Sequence, residues 1–204
     1  MTSTAACERA EVDRTLASML RQSGLVGRRA SADCELGRRV WEAAEAGRGT
    51  LLHGEPGTGK TWAAACCCRL WVERRCPSAS RVARMATFRQ LLDDERDGYG
   101  EGSSPKGALR RAESVPLLVL DDLGAERVTA WTLERLTALL DARDPDASEG
   151  LVTVVTSNLR VGALRDLYGG TEGKRIASRL CGMCDVREVS GPDMRLAGRL
   201  EVAS

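Results

Sequence analysis

The stretch GTLLHGEPGTGKT, residues 49–61, constrains this chain more than any other. A short apolar run ends in a turn holding Gly54, Gly57 and Gly59, and residues 59 to 75 then suit a helix. Gly54-Glu55-Pro56-Gly57-Thr58-Gly59-Lys60-Thr61 fits G-x-x-x-x-G-K-[ST], the phosphate-binding P-loop. The chemistry needs these residue types. Glycines let successive backbone N–H groups wrap a phosphate, and the following helix adds a favourable dipole at its N-terminus. Lys60 would bridge the β- and γ-phosphates, and the Thr61 hydroxyl would ligate Mg²⁺. ATP and Mg²⁺ are therefore the expected ligands.

The chain around this loop alternates strand and helix signals. CELGRRVWEAAEAG sets Leu36, Val40, Ala43 and Ala44 on one helical face, with Gly47 as a stop. RVARMA reads as a strand over 81–86, with a helix through TFRQLLDDERD and a loop at GYGEGSSPKG. VPLLVLDD and GLVTVVTSN are continuous apolar strands of the kind buried in parallel sheets, and CDVREVS is a shorter, more polar one. TAWTLERLTALLDAR groups Leu133, Leu136, Leu139 and Leu140 on one helical side. The alternation predicts a three-layer α/β/α sandwich around a parallel sheet. Residues 1–30 read as an N-terminal arm, and 31–204 as one domain.

Composition removes several function classes. With 43% hydrophobic and 29% charged residues over 204 positions, the chain is globular, and its net charge of +1 demands neither nucleic acid nor a membrane. Of the 30 basic residues only Lys60, Lys106 and Lys174 are lysine. No apolar run approaches a membrane span or a signal peptide, so the expected location is cytoplasmic. Cys66, Cys67 and Cys68 point in different directions around a helix and cannot converge on one metal, so they read as small core residues. Cys181 and Cys184 form a C-x-x-C with no second pair to complete a zinc site, and His53, the single histidine, reads as a strand residue.

LLVLDD has the Walker B form, an apolar strand delivering two carboxylates to its end, 61 residues after Lys60 in the case of Asp121. Asp121 would hold Mg²⁺. Asp122 would orient or deprotonate the attacking water, with Glu126 the nearest substitute carboxylate. GEPGTGKT, LLVLDDLGAERVTAWTLERLTALLDAR, VTSN, RIASRL and SGPDMRL follow in that order. Over roughly residues 35–196 this series resembles the AAA+ ATPases of the DnaC helicase-loader and IstB transposition-helper group.

The resemblance implies a five-stranded AAA+ core and ATP hydrolysis that remodels a DNA-bound partner, a replicative helicase or a transposase. It places Asn158 at the sensor 1 position, where a polar side chain helps orient the hydrolytic water. It places Arg175 and Arg179 in the segment that carries an arginine finger, offered to a neighbouring copy's nucleotide in a homo-oligomer. Helicase loaders of the group carry a separate N-terminal helicase-binding domain where this chain has a short arm. Many AAA+ proteins have Glu where this chain has the shorter Asp122. Single-stranded DNA is the implied polymer ligand. Arg81, Arg84, Phe88 and Arg89, with Lys106, Arg110 and Arg111, form a segment that mixes an aromatic with basic residues and offers modest support for it. Phe88 also falls at helical spacing with Leu91 and Leu92, as a core residue would. Two other classes share a P-loop: a small-molecule kinase, which has no need of the VTSN and RIASRL blocks, and a hydrolysis-inactive DNA-binding scaffold.

Overall fold

A computed structural model of the chain describes residues 2–77, 82–97, 107–146 and 149–194. Five parallel strands form one sheet in the order β2-β3-β4-β1-β5. They are β1 (Gly49–His53), β2 (Ala83–Thr87), β3 (Leu117–Asp121), β4 (Val152–Ser157) and β5 (Cys184–Glu188). β1 lies between β4 and β5, with Leu51 opposite both Val155 and Val186. The P-loop strand is therefore interior to the sheet, and the Walker B strand β3 sits one strand beyond β4.

Alternate strand residues enter opposite layers, as pleating requires. Leu52, Leu117, Val119 and Val154 pack on one side with α1 (Thr2–Gln22), α2 (Glu35–Glu45) and α3 (Lys60–Arg75). Leu51, Leu118, Leu120 and Val155 pack on the other with α4 (Phe88–Asp97), α5 (Ala108–Ser114), α6 (Ala130–Ala142), α7 (Val161–Tyr168) and α8 (Gly170–Met183). This is the expected three-layer sandwich.

The triple cysteine belongs to α3, which is covered by the sheet on one side and by α1, α2 and a short 3-10 helix (Gly27–Ser31) on the other. Cys66, Cys67 and Cys68 are all fully buried, as a helix enclosed on every side demands. Burial pushes the Cys67 thiol well up and the Cys68 thiol up to about 12. Cys184 is also buried, while Cys181 is exposed. The thiol of Cys184 faces the Thr153 carbonyl at 3.5 Å.

The predicted arm does not end loose. Met19, Leu20 and Leu25 join the first core layer, and Ser23 accepts the Met85 N–H at 2.7 Å along the outer edge of β2. Gly24, at φ +86°, lets the chain pass there, since a Cβ would stand 2.1 Å from the Met85 carbonyl oxygen. The sequence reading missed the 3-10 helix, α5 and the split of residues 161–183 into α7 and α8. Arg81, Lys106 and most of the GYGEGSSPKG loop lie outside the described residues.

Candidate nucleotide site

β1 delivers the loop to the C-terminal end of the sheet, and the turn opens directly into α3 at Lys60. Gly57 and Gly59 take φ of +84° and +92°, backbone that only glycine adopts at little cost. Gly59, without a side chain, caps the 16-residue helix α3 at the end of the glycine-rich turn. A helix N-terminus opening from a glycine-rich turn has the backbone and dipole chemistry that suits an anion. Lys60 is buried at 6% exposure, and its Nζ donates to the Gly54 and Glu55 carbonyls, both at 2.7 Å. The Thr58 hydroxyl donates to the Glu55 carbonyl at 2.9 Å and stiffens the turn. Pro56 continues the turn at its exposed rim.

β3 and β4 bring the acidic pair and the sensor residue to the same end. Asp121 Oδ1 accepts from the Thr61 hydroxyl at 2.8 Å and from the Thr156 hydroxyl at 2.7 Å. Its Oδ2 faces Arg29 at 3.5 Å. Thr61 and Asp121 thus meet across 60 residues of chain as a pair of hard oxygens, the donor chemistry that suits Mg²⁺. Asp122 has φ +56°, the single non-glycine residue in left-handed backbone among the described residues. Its N–H donates to Thr156 Oγ1 at 2.9 Å, which stabilises that conformation. Asn158 Nδ2 then donates to Asp122 Oδ1 at 3.0 Å. P-loop threonine, acidic pair and sensor asparagine therefore form one connected network.

Glu126 has a different task from the one its position suggested. It is 8% exposed, accepts the Tyr168 hydroxyl at 2.6 Å and the Gly124 N–H at 3.0 Å, and so braces the turn after β3. Burial, then the neighbouring Glu126 carboxylate, push the Tyr168 hydroxyl far above its ordinary value.

Arg175 and Arg179 are exposed on α8 and are not part of this network. Arg175 pairs with Glu172 and Asp141, and Arg179 with Asp141 and Asp144. Phe88 is 1% exposed within the second core layer, so its stacking role falls away. Arg84 faces Asp94 at 3.2 Å and Arg89 faces Asp93 at 3.7 Å, which balances much of that segment's charge. His53 is the last residue of β1, in register with Ser157 and Glu188.

Sequence reasoning missed three participants. Thr156, inside the quoted VTSN block, holds both Asp121 and Asp122. The segment after β5 folds back over the P-loop: Val189 N–H donates to the His53 carbonyl at 2.7 Å, and Met194 N–H to the Gly57 carbonyl at 3.1 Å. It sets the Asp193 carboxyl where a Cβ on Gly57 would be, 2.1 Å away. Arg29, in an unremarkable GRRAS sequence, reaches the site from the 3-10 helix.

A P-loop after an interior parallel strand, an acidic end on β3 and an asparagine just past the strand between them define an AAA+ nucleotide-binding domain. Comparisons with known proteins are more particular. The sequence profile of the IstB-like ATP binding proteins matches residues 42–202, and the chain belongs to that family. Among solved structures it is similar to DnaI, with 25% identity, a TM-score of 0.60, and coverage of 78% of this chain and 80% of that one. It shares its fold with the DnaC helicase loader (22% identity, TM-score 0.56, covering 76% and 86%). The same holds for domain III of the Thermotoga maritima replication initiation protein DnaA (22% identity, TM-score 0.59, covering 88% and 72%). No curated protein sequence gives a significant match. No helix among the described residues is long and apolar enough to cross a membrane.

Proposed function

We propose that this chain hydrolyses ATP to ADP and phosphate and uses the cycle as a helicase loader in DNA replication, remodelling a DNA-bound partner. The observation that carries the hydrolytic part is the linked set Thr61, Asp121, Asp122 and Asn158 at one end of the sheet. A protein that only stored nucleotide would have no use for a second carboxylate whose left-handed backbone is held by Thr156 and whose oxygen is held by Asn158.

In this reading Gly54–Thr61 bind the phosphate chain through backbone N–H groups, with Lys60 moving its ammonium from the loop carbonyls to the β/γ oxygens. Thr61 and Asp121 would hold Mg²⁺, which would neutralise charge on the phosphates. Asp122 orients the attacking water and accepts its proton, and Asn158 fixes the Asp122 carboxylate in that direction. Arg179, with Arg175 beside it, serves a neighbouring copy's nucleotide, having exchanged Asp141 and Asp144 for the γ-phosphate. Those exposed ion pairs are each worth about 1 kcal/mol or less, so the exchange is cheap. Residues 1–30 act as an arm on the ATPase domain of residues 31–204.

Similarity to DnaI and to the DnaC helicase loader supports the replication role. The IstB-like family match favours a second reading, a transposition helper with a transposase as partner. Capture of a replicative helicase, and not of a transposase, by the purified ATP-bound protein would support the first. Phosphate release with and without single-stranded DNA tests the enzyme. Stimulated release supports the remodeller, transfer to a small acceptor a kinase, and silence a scaffold. Mixing Arg179→Ala with Lys60→Ala, each nearly inactive alone, should restore activity as the mixture is concentrated. No recovery while the two still associate would exclude shared sites.

A further inference from the structure

We propose that Arg29 is a nucleotide-contacting residue that leaves Asp121 for the terminal phosphate of ATP when Mg²⁺ arrives; this rests on the P-loop reading above. Asp121 is buried at 3% exposure, and its two oxygens are treated differently. Oδ1 is committed inside the protein, to the hydroxyls of Thr61 and Thr156. Oδ2 faces Arg29 Nη2 at 3.5 Å, a distance at which charge is balanced without a good hydrogen bond.

The backbone under Arg29 is fixed, while its side chain is 45% exposed. Arg29 N–H donates to the Val26 carbonyl at 3.3 Å, and its own carbonyl accepts from Ala32 N–H at 3.2 Å. Leu25 and Ala32 on either side are fully buried, and Arg69 Nε donates to the Ala32 carbonyl at 2.8 Å. The 3-10 helix is thus tied to α3, the helix that begins at the P-loop. An anchored backbone with a loosely held guanidinium can change partners without moving the fold.

Competition for Oδ2 drives the change. A divalent cation held beside Thr61 and Asp121 supplies the positive charge that Arg29 otherwise provides. Two cations on one carboxylate repel, and the guanidinium moves to the nearest excess of negative charge. Thr61 and Asp121 mark the β/γ end of the phosphate chain, so that excess is the γ-phosphate. An Arg fork suits phosphate oxygens better than an ammonium does. Arg29 would then separate ATP from ADP from within its own subunit.

The test is a binding titration of Mg·ATP and Mg·ADP to the full chain, wild type against Arg29→Ala, Arg29→Lys and Lys60→Ala. Arg29→Ala should weaken ATP roughly tenfold, the loss expected of one charge-assisted hydrogen bond, and ADP by less than about threefold. Arg29→Lys should fall between. The unfolding midpoint of nucleotide-free Arg29→Ala should fall by only a few degrees, because buried Asp121 keeps both hydroxyl donors, and Arg29→Lys, which keeps the charge, should fall by less. Equal weakening of ATP and ADP, or unchanged ATP affinity, in Arg29→Ala would overturn the proposal, provided that Lys60→Ala loses both nucleotides. If Lys60→Ala binds both normally, the P-loop reading itself fails, and the Arg29 proposal with it.

Discussion

Asp121 and Arg143 lie at opposite ends of the sheet, and both are almost wholly removed from solvent, at 3% and 1% exposure. Arg143 ends α6 beside the start of β4. Its Nε donates to the Thr153 hydroxyl at 2.9 Å, its Nη1 to the Ala112 and Val115 carbonyls at 2.8 Å, and its Nη2 to the Val152 carbonyl at 2.7 Å. Every nitrogen is satisfied by the protein's own backbone or a core hydroxyl. Asp121 is satisfied on one oxygen and faces the half-exposed Arg29 guanidinium with the other. The difference separates structure from function better than burial does. A buried charge with all its bonds internal ties elements together, whereas one with a bond directed outward is set for a ligand.

The comparison can be broken from either end. Arg143→Leu should cost on the order of 3–5 kcal/mol, because several buried carbonyls lose their donor at once. A urea titration reads this, and nucleotide affinity of the folded fraction should not change. Asp121→Asn should do the reverse. Its stability should stay within about 1 kcal/mol, while hydrolysis falls about a hundredfold through loss of the metal-directed charge. If Asp121→Asn unfolds as readily as Arg143→Leu, the contrast between the two ends is wrong.

Thr156→Val sharpens the contrast, since this hydroxyl serves the internal half of Asp121 and the N–H of Asp122. It should cost about 1–2 kcal/mol of stability. Hydrolysis should drop severalfold with nucleotide affinity nearly intact. An unaltered turnover rate would remove Thr156 from the network.

Legibility in the sequence followed the same division. The strands, the P-loop turn and the acidic strand end were readable because each depends on residues that are neighbours in the chain. Asp121 and Asp122 could be found by their apolar run, and Asn158 by its block. Arg29 could not, because nothing in GRRAS distinguishes a surface arginine from one that the fold carries to Asp121. Asp193 was equally hidden, since its place against Gly57 depends on the chain reversing after β5. Glu126 was read from its chemical type, and the fold gives it a bracing role, whereas the helical spacing of Phe88 with Leu91 and Leu92 already pointed to the core position it takes. Arg143 drew no notice at all: a buried arginine at a helix end looks like a solvated one until its acceptors are known.

The smallest effect expected concerns pH and the thiols. Burial raises Cys68 and Cys184 to about 12, above the ordinary thiol range. Between about 9 and 12 the folded state therefore holds protons that the unfolded state has released, and stability falls as pH rises through that window. Arg143, pushed down by burial to about 10, acts oppositely between about 10 and its ordinary 12.5. Alkaline unfolding should consequently begin near pH 9, and Cys184→Ala should flatten its onset. In the native protein at pH 8 these two thiols should resist a thiol reagent while the exposed Cys181 reacts, as thiolate content and access require. Fast labelling of Cys68 without unfolding would contradict the enclosed packing of α3.

The central claim is that the strand-end network hydrolyses ATP. Its most direct test compares wild type with Asp122→Asn in two assays, direct ATP binding and phosphate release. Asn158 and the left-handed backbone can be kept in the variant, because Asn tolerates that conformation as Asp does. ATP affinity should stay within about threefold of wild type and phosphate release should fall at least about a hundredfold, the scale of losing a positioned base. Release at the wild-type rate from Asp122→Asn, with ATP bound normally, would contradict the claim.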